Sequence, residues 1–108
     1  MQWQTKLPLI AILRGITPDE AREHVAAILD AGFDAVEIPL NSPDWETSIG
    51  DIVANFGDRA LIGGGTVLKP EQVDRLAEMG CKLIVTPNTQ PEVIRRAVSH
   101  GMTVCPGC

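Results

Sequence analysis

The sequence predicts an α/β fold, with short parallel strands alternating with helices in the order β-α-β-α-β-α-β-α-β. Three observations carry this. Four times a proline is followed at once by an acid, at Pro18-Asp19, Pro43-Asp44, Pro70-Glu71 and Pro91-Glu92. Proline loses nothing at the first helical position, where its missing N–H has no partner, and an acid in the first turn complements the helix dipole. Each helical stretch then ends at a glycine, Gly32, Gly57, Gly80 and Gly101, the residue expected just beyond a helix C-terminus. After each glycine comes a short apolar run. Units of roughly 20 to 27 residues leave strands no room to pair as hairpins, so parallel strands joined by helical crossovers are the economical solution.

The elements follow in order. PLIAILR, ending at Arg14, reads as the first strand. The first helix starts behind the N-cap Thr17 and shows apolar residues near a 3.6-residue period at Ala21, Val25, Ile28 and Leu29. AVEIPL is the second strand, with Val36, Ile38 and Leu40 on one parity and Ala35, Glu37 and Pro39 on the other. Ser42 stands where the second N-cap belongs, and Trp45, Ile49, Ile52, Val53 and Phe56 line the helix behind it. LIGGGT is the third strand, followed by a helix lined by Val73, Leu76 and Ala77. LIVTP is the fourth strand, followed by a helix lined by Val93, Ile94, Ala97 and Val98, and MTVCP is the fifth.

At 108 residues and 44% hydrophobic, the chain is expected to be one domain, residues 1–108, with ordinary globular composition. A net charge of −5 with no compensating basic cluster argues against nucleic acid and acidic membranes as partners. No apolar run approaches the ~20 residues that span a bilayer. The N-terminal stretch lacks a small-residue cleavage site and reads as strand rather than signal peptide. Three cysteines, an odd number, suit a reducing cytoplasm better than a disulfide framework.

Periodicity leaves barrel and open sheet both standing. A Rossmann-type sheet would want G-x-G-x-x-G after the first strand, where Arg14-Gly15-Ile16-Thr17 stands instead. A flavodoxin-like sheet matches the length. A barrel is favoured by the polar parity of the second strand, because barrel interiors collect small and polar residues near the ligand face. A barrel closes with eight strands, so five would leave it incomplete.

Both architectures keep their chemistry at the C-terminal ends of the strands. That rule gathers Arg14, Glu37, Asn41, Thr66, Thr86, Pro87, Asn88, Cys105 and Pro106, with Ala35 and Gly64 below them. Arg14 and Glu37 admit two compatible readings. They form a buried ion pair between the first two strands, or Arg14 grips a substrate carboxylate while a desolvated Glu37, its pKa raised, moves protons. Gly63-Gly64-Gly65 does not fit the P-loop pattern, since Lys69 is followed by Pro70. Close backbone approach to a ligand, or packing space, suits these glycines better. Cys105-x-x-Cys108 resembles a redox or zinc half-site but lies in a strand, not at a helix start, and no metal is expected. His24 and His100 fall within helical patterns and read as surface residues.

The segments AILRGITPDEA, AGFDAVEIPLNSP, GGGTVLKPEQV, LIVTPN and GMTVCPGC resemble the N-terminal part of the 2-keto-3-deoxy-6-phosphogluconate aldolase family, in order and across all 108 residues. In the gluconate branch the second strand reads Glu-(Leu/Val)-Thr-Leu-Arg. Here it reads Glu37-Ile38-Pro39-Leu40-Asn41, similar to the galactonate branch. The resemblance implies a (β/α)8 TIM barrel, of which this chain carries the first five strands and four helices, and a homotrimeric, cytoplasmic class I aldolase that needs no metal or cofactor. Its implied reaction is cleavage of 2-dehydro-3-deoxy-6-phospho-D-galactonate to pyruvate and D-glyceraldehyde 3-phosphate in galactonate degradation. Glu37 would be the general acid/base, Arg14 the carboxylate grip, Thr66 its neighbour, Pro87 part of the wall, and Asn41 a mark of the galactonate epimer. The family's Schiff-base lysine belongs to the sixth strand, and none of Lys6, Lys69 and Lys82 takes its place. The 108-residue chain is therefore expected to be catalytically incompetent. The alternative is a non-catalytic half-barrel that acts as an assembly or binding module, open to self-association.

Overall fold

The computed structural model describes residues 9–106. The elements run β1 (Ala11–Ile12), α1 (Pro18–Asp30), β2 (Ala35–Pro39), α2 (Trp45–Phe56), β3 (Leu61–Gly65), α3 (Pro70–Glu78), β4 (Leu83–Thr86), α4 (Pro91–Ser99) and β5 (Thr103–Pro106). All strand pairs are parallel, in the order β1-β2-β3-β4-β5. This order decides between the two architectures. A flavodoxin-like sheet places its first strand inside the sheet, at the point where the winding reverses. Here each strand is added beside the last, as in a barrel wall, and β1 and β5 are the edges of an open sheet. Among the described residues no helix is long and apolar enough to cross a membrane.

One face of the sheet carries the core. Val36, Ile38, Ile62, Ile84 and Val104 meet Val25, Ile49, Ile52, Val73, Leu76 and Val93 from the four helices. Each fully buried aliphatic side chain contributes about 1.5–3 kcal/mol. Across the outside, at least one ion pair links each helix to the next. Arg22 reaches Asp51 at 2.6 Å, Arg75 reaches Glu46 at 2.8 Å, and Arg96 and His100 both reach Asp74. Exposed pairs are worth about 0–1 kcal/mol each. Packing therefore holds the layers together, and the ion pairs only tune how neighbouring helices sit.

α1, α3 and α4 begin at the expected prolines. Thr17 caps α1, with its N–H donating to Glu20 Oε1 at 3.2 Å. The second helix differs. It starts at Trp45, behind Asp44 with φ 50°, not at Pro43. Ser42 is not its N-cap. It closes a turn by donating its N–H to the Pro39 carbonyl (3.0 Å), while its buried Oγ accepts the Gly15 N–H at 3.0 Å. The hydroxyl thus ties the end of β1 to the end of β2, a tertiary partner no local pattern reveals. Gly57 also departs from expectation. It caps α2 just past Phe56 in a right-handed conformation, φ −61°, whereas Gly32, Gly80 and Gly101 take the left-handed conformation beyond their helices.

Pro39 lies inside the sheet, where proline is normally excluded for want of a donor. The Leu40 N–H donates to the Gly65 carbonyl at 2.9 Å, so the nitrogen of Pro39 faces the opposite edge, towards β1. β1 has ended by then: its last bond to β2 is from the Leu13 N–H to the Glu37 carbonyl at 3.1 Å. No ladder bond is lost.

Ser48 sits on the buried face of α2, fully enclosed, and its Oγ has no hydrogen-bond partner. An unsatisfied buried hydroxyl costs about 1–3 kcal/mol. Ser48→Ala is expected to raise stability by about 1 kcal/mol, seen as a rise of several degrees in Tm. A melting temperature that stays put or falls would mean that the hydroxyl has a partner after all.

Candidate active site

The sheet's other face is the inner, concave side of the barrel wall that this strand order makes. Strand register places Ile12, Glu37, Gly63, Leu83 and Thr103 side by side, with Ala35 and Leu61 below and Gly65 above. Ala35 and Leu83 are fully buried, yet stand apart from the helix-side core. Beyond Leu61, β3 presents only glycine to this face, at Gly63 and Gly65, so the side chains of β2 and β4 can close over it. Gly64 turns the other way: a Cβ there would meet Leu76 Cδ1 at 2.7 Å, so this glycine makes room for α3 and does not floor the lumen as expected.

Glu37 is the one charged residue on this face that is buried, with 3% of its surface exposed. Its carboxylate lies over Gly65, where a Cβ would come within 1.9 Å of Oε2 and 2.3 Å of Cδ. Oε2 has no hydrogen-bond partner. Burial lifts the Glu37 pKa from 4.5 to about 7, against the opposing pull of the Arg14 charge. A carboxylic acid balanced at neutral pH can both give and take a proton there.

Arg14 does not form the buried ion pair that one reading allowed. Its side chain is exposed in the turn after β1, and no ion pair joins it to Glu37 among the described residues. The cause is the short first strand: β1 stops at Ile12, and Gly15, at φ 77°, turns the chain immediately after Arg14. Arg14 therefore acts on Glu37 through its field and leaves its hydrogen-bonding fork open to solvent.

The other candidates reach the same rim. Asn41 is exposed in the turn after β2, and Pro87 is exposed after β4. Thr66 follows β3 half-buried, at φ 56°, a left-handed conformation that costs a β-branched residue on the order of 1–2 kcal/mol. Backbone strain of this kind collects at functional sites. Arg14, Glu37 and Thr66 thus come from three adjacent strand ends, with Asn41 at the tip of β2 and Pro87 one strand further on. Thr86 is not among them. Its register with Pro106, two residues past the Ile84–Val104 pair, places it on the helix side, where its hydroxyl donates to the Asn88 carbonyl at 2.6 Å.

Cys81 and the amines lie off this face, whereas Cys105, two residues past Thr103, shares it. Cys81 is buried, its thiol pushed up to about 12, and burial also raises the half-buried Cys105. Cys108, and with it the Cys-x-x-Cys pair, lies outside the described residues, as does Lys6. Lys69 and Lys82 are exposed, the first entering α3 and the second preceding β4 at the opposite end of the sheet. No lysine reaches the concave face among the described residues. Sequence reading passed over Gly65 as the floor of the carboxylate; the triple glycine was its signal, but not which of the three faces Glu37.

A sequentially ordered parallel wall with one buried acid near its C-terminal rim is part of a (β/α)-barrel. The family model for KDPG and KHG aldolase matches residues 2–108, and the chain belongs to that family. It is 80% identical over its full length to 2-dehydro-3-deoxy-6-phosphogalactonate aldolase of Escherichia coli (strain K12), covering 53% of that protein. It is 53% identical over 100 residues, 93% of the chain and 47% of the relative, to a probable 2-dehydro-3-deoxy-6-phosphogalactonate aldolase of Rhizobium meliloti (strain 1021). A solved structure described as "Native KDPGal structure" superposes with a TM-score of 0.98 at 80% identity, over all of this chain and 52% of the other. The chain spans about half the length of the curated relatives it matches.

Proposed function

We propose that residues 1–108 supply the proton-shuttling part of an aldolase site that cleaves 2-dehydro-3-deoxy-6-phospho-D-galactonate to pyruvate and D-glyceraldehyde 3-phosphate. The observation that carries this is Glu37: buried, unpartnered at Oε2, and titrating near neutrality at the C-terminal rim of a parallel sheet. The reaction needs such a group several times. When an amine adds to the C2 ketone, the carbinolamine oxygen must gain a proton to leave as water. Breaking the C3–C4 bond requires removal of the C4 hydroxyl proton, and the resulting enamine must regain a proton at C3. One acid/base able to hold or release a proton at pH 7 serves each step.

In this reading Arg14, whose side chain is exposed, takes the carboxylate end of the substrate and of pyruvate. Thr66 adds a hydroxyl beside it, Pro87 shapes the wall, and Asn41 stands where the gluconate branch has arginine, which favours the galactonate epimer. The galactonate assignment also draws on the relatives at 80% and 53% identity. The amine nucleophile comes from outside the strands described. Proton transfer by a placed side chain contributes about 10²–10⁴-fold. A cytoplasmic homotrimer is the assembly the family resemblance implies.

Joining this chain in frame to the remaining sequence of its Escherichia coli relative gives a full-length enzyme for the test. Release of pyruvate from the phosphorylated galactonate is expected, with Glu37→Gln lowering kcat by about 10²–10⁴-fold. A folded chimera that releases no pyruvate, or a Glu37→Gln form with unaltered kcat, would refute the proposal.

A further inference from the structure

Gly65 lies directly beneath the Glu37 carboxylate, and its surroundings decide what a side chain there would do. A Cβ would fall 1.9 Å from Oε2, 2.3 Å from Cδ and 2.5 Å from Oε1 of Glu37, and these three atoms are its nearest neighbours. One party must move. The backbone at Gly65 is held on both sides: its carbonyl accepts the Leu40 N–H from the end of β2 at 2.9 Å, and two residues on, the Val67 N–H donates to the Val85 carbonyl of β4 at 3.2 Å. Between them Thr66 is locked at φ 56°, and Val67 is fully buried. The strand end is pinned at both edges. The carboxylate, by contrast, ends a side chain with three rotatable bonds, and its Oε2 has no hydrogen bond to lose.

We propose that Gly65 is a positioning residue for Glu37: by having no side chain, it leaves a floor on which the carboxylate rests while turned away from water. Any larger residue at 65 drives the carboxylate off the concave face and towards the open rim. The strand itself stays in place. Gly63 marks the contrast. A Cβ there would come 1.7 Å from the Leu83 carbonyl oxygen, an atom of the neighbouring strand's backbone, so that glycine serves the sheet rather than the acid. Two glycines two residues apart, on one face of one strand, thus have separate duties. The inference rests on Glu37 being the proton carrier only for its functional meaning; the geometry stands by itself.

The experiment follows the Glu37 side-chain carboxyl by carbon NMR through a pH titration, in the parent chain and in Gly65→Ala. The parent is expected to titrate near 7 and the variant to move down towards 4.5, the ordinary glutamate value, as the carboxylate gains water. An unchanged Glu37 titration in a folded Gly65→Ala chain overturns the proposal. Should Gly65→Ala fail to fold, the Glu37→Ala/Gly65→Ala double variant decides, since removing the carboxylate removes the obstacle. Recovery of folding supports the positioning role, and continued failure overturns it. Because the readout is titration and folding, an inactive full-length chimera would refute the aldolase reading and leave this inference intact.

Discussion

Adding one methyl group at Gly63 is expected to destabilise the chain by at least about 3 kcal/mol, the upper part of the range for overpacked interiors. The new Cβ would sit 1.7 Å from the Leu83 carbonyl oxygen, 2.4 Å from its carbon and 2.6 Å from its Cβ. None of these atoms ends a flexible side chain. Gly63 and Leu83 are register partners, and the strands are tied just before them by the Lys82 N–H donating to the Ile62 carbonyl at 3.0 Å. Relief comes only by parting β3 from β4, which breaks the ladder in the middle of the sheet and uncovers Leu83 and Ile84, both fully buried. With a urea slope of roughly 1–3 kcal/mol/M, the unfolding midpoint of Gly63→Ala should fall by about 1 M or more. A midpoint close to that of the parent would mean that the strands are looser here than their register indicates.

The second large effect is a pH dependence carried by Glu37. Its folded pKa, about 7, lies above the ordinary 4.5 of an unfolded chain. Below about pH 4.5 both states hold the proton, and the group imposes no penalty. Between 4.5 and about 7 the folded chain keeps a proton that the unfolded chain has released, so this contribution falls as pH rises. Above about 7 the charged form is buried and the full penalty stands, roughly 3 kcal/mol for a rise of this size. Glu37→Gln keeps the shape of the protonated acid at every pH. It should therefore match the parent in acid and exceed its stability by roughly 3 kcal/mol at about pH 8. Asp19, Asp51 and Asp74, whose pKa values are lowered by hydrogen bonds from Thr17, Arg22 and His100, add the opposite trend in acid. Their share is common to both chains and cancels in the difference. A variant-minus-parent difference that is flat with pH would show that the carboxylate is not desolvated.

The two substitutions separate what the concave face needs for folding from what it needs for chemistry. Gly63 allows the sheet to form. Glu37 works against folding at neutral pH, and a group kept in place at that expense is the kind expected at a catalytic centre.

The strand and helix order, three of four helix starts and the parity that singles out Glu37 were all legible in the chain, because these signals are local. Proline placement, acid in the first turn and apolar period act within a few residues. What could not be read were features whose cause lies on another strand. Ser42 has the residue type and position of an N-cap, yet its hydroxyl binds the Gly15 N–H, 27 residues away. Arg14 and Glu37 have the chemistry of an ion pair, yet β1 ends too early to bring the guanidinium inward. Thr86 and Gly64 were assigned to the concave face, and the strand register turns both to the helix side.

By itself, then, the sequence determined the alternation of elements, the residues at the strand ends and the lone acid among apolar neighbours. Only the tertiary structure decided the strand order that makes a barrel wall, which of three glycines lies under Glu37, and how far burial lifts that acid. Those depend on distances between strands that are remote in the chain, and desolvation is a property of the assembled neighbourhood rather than of any segment.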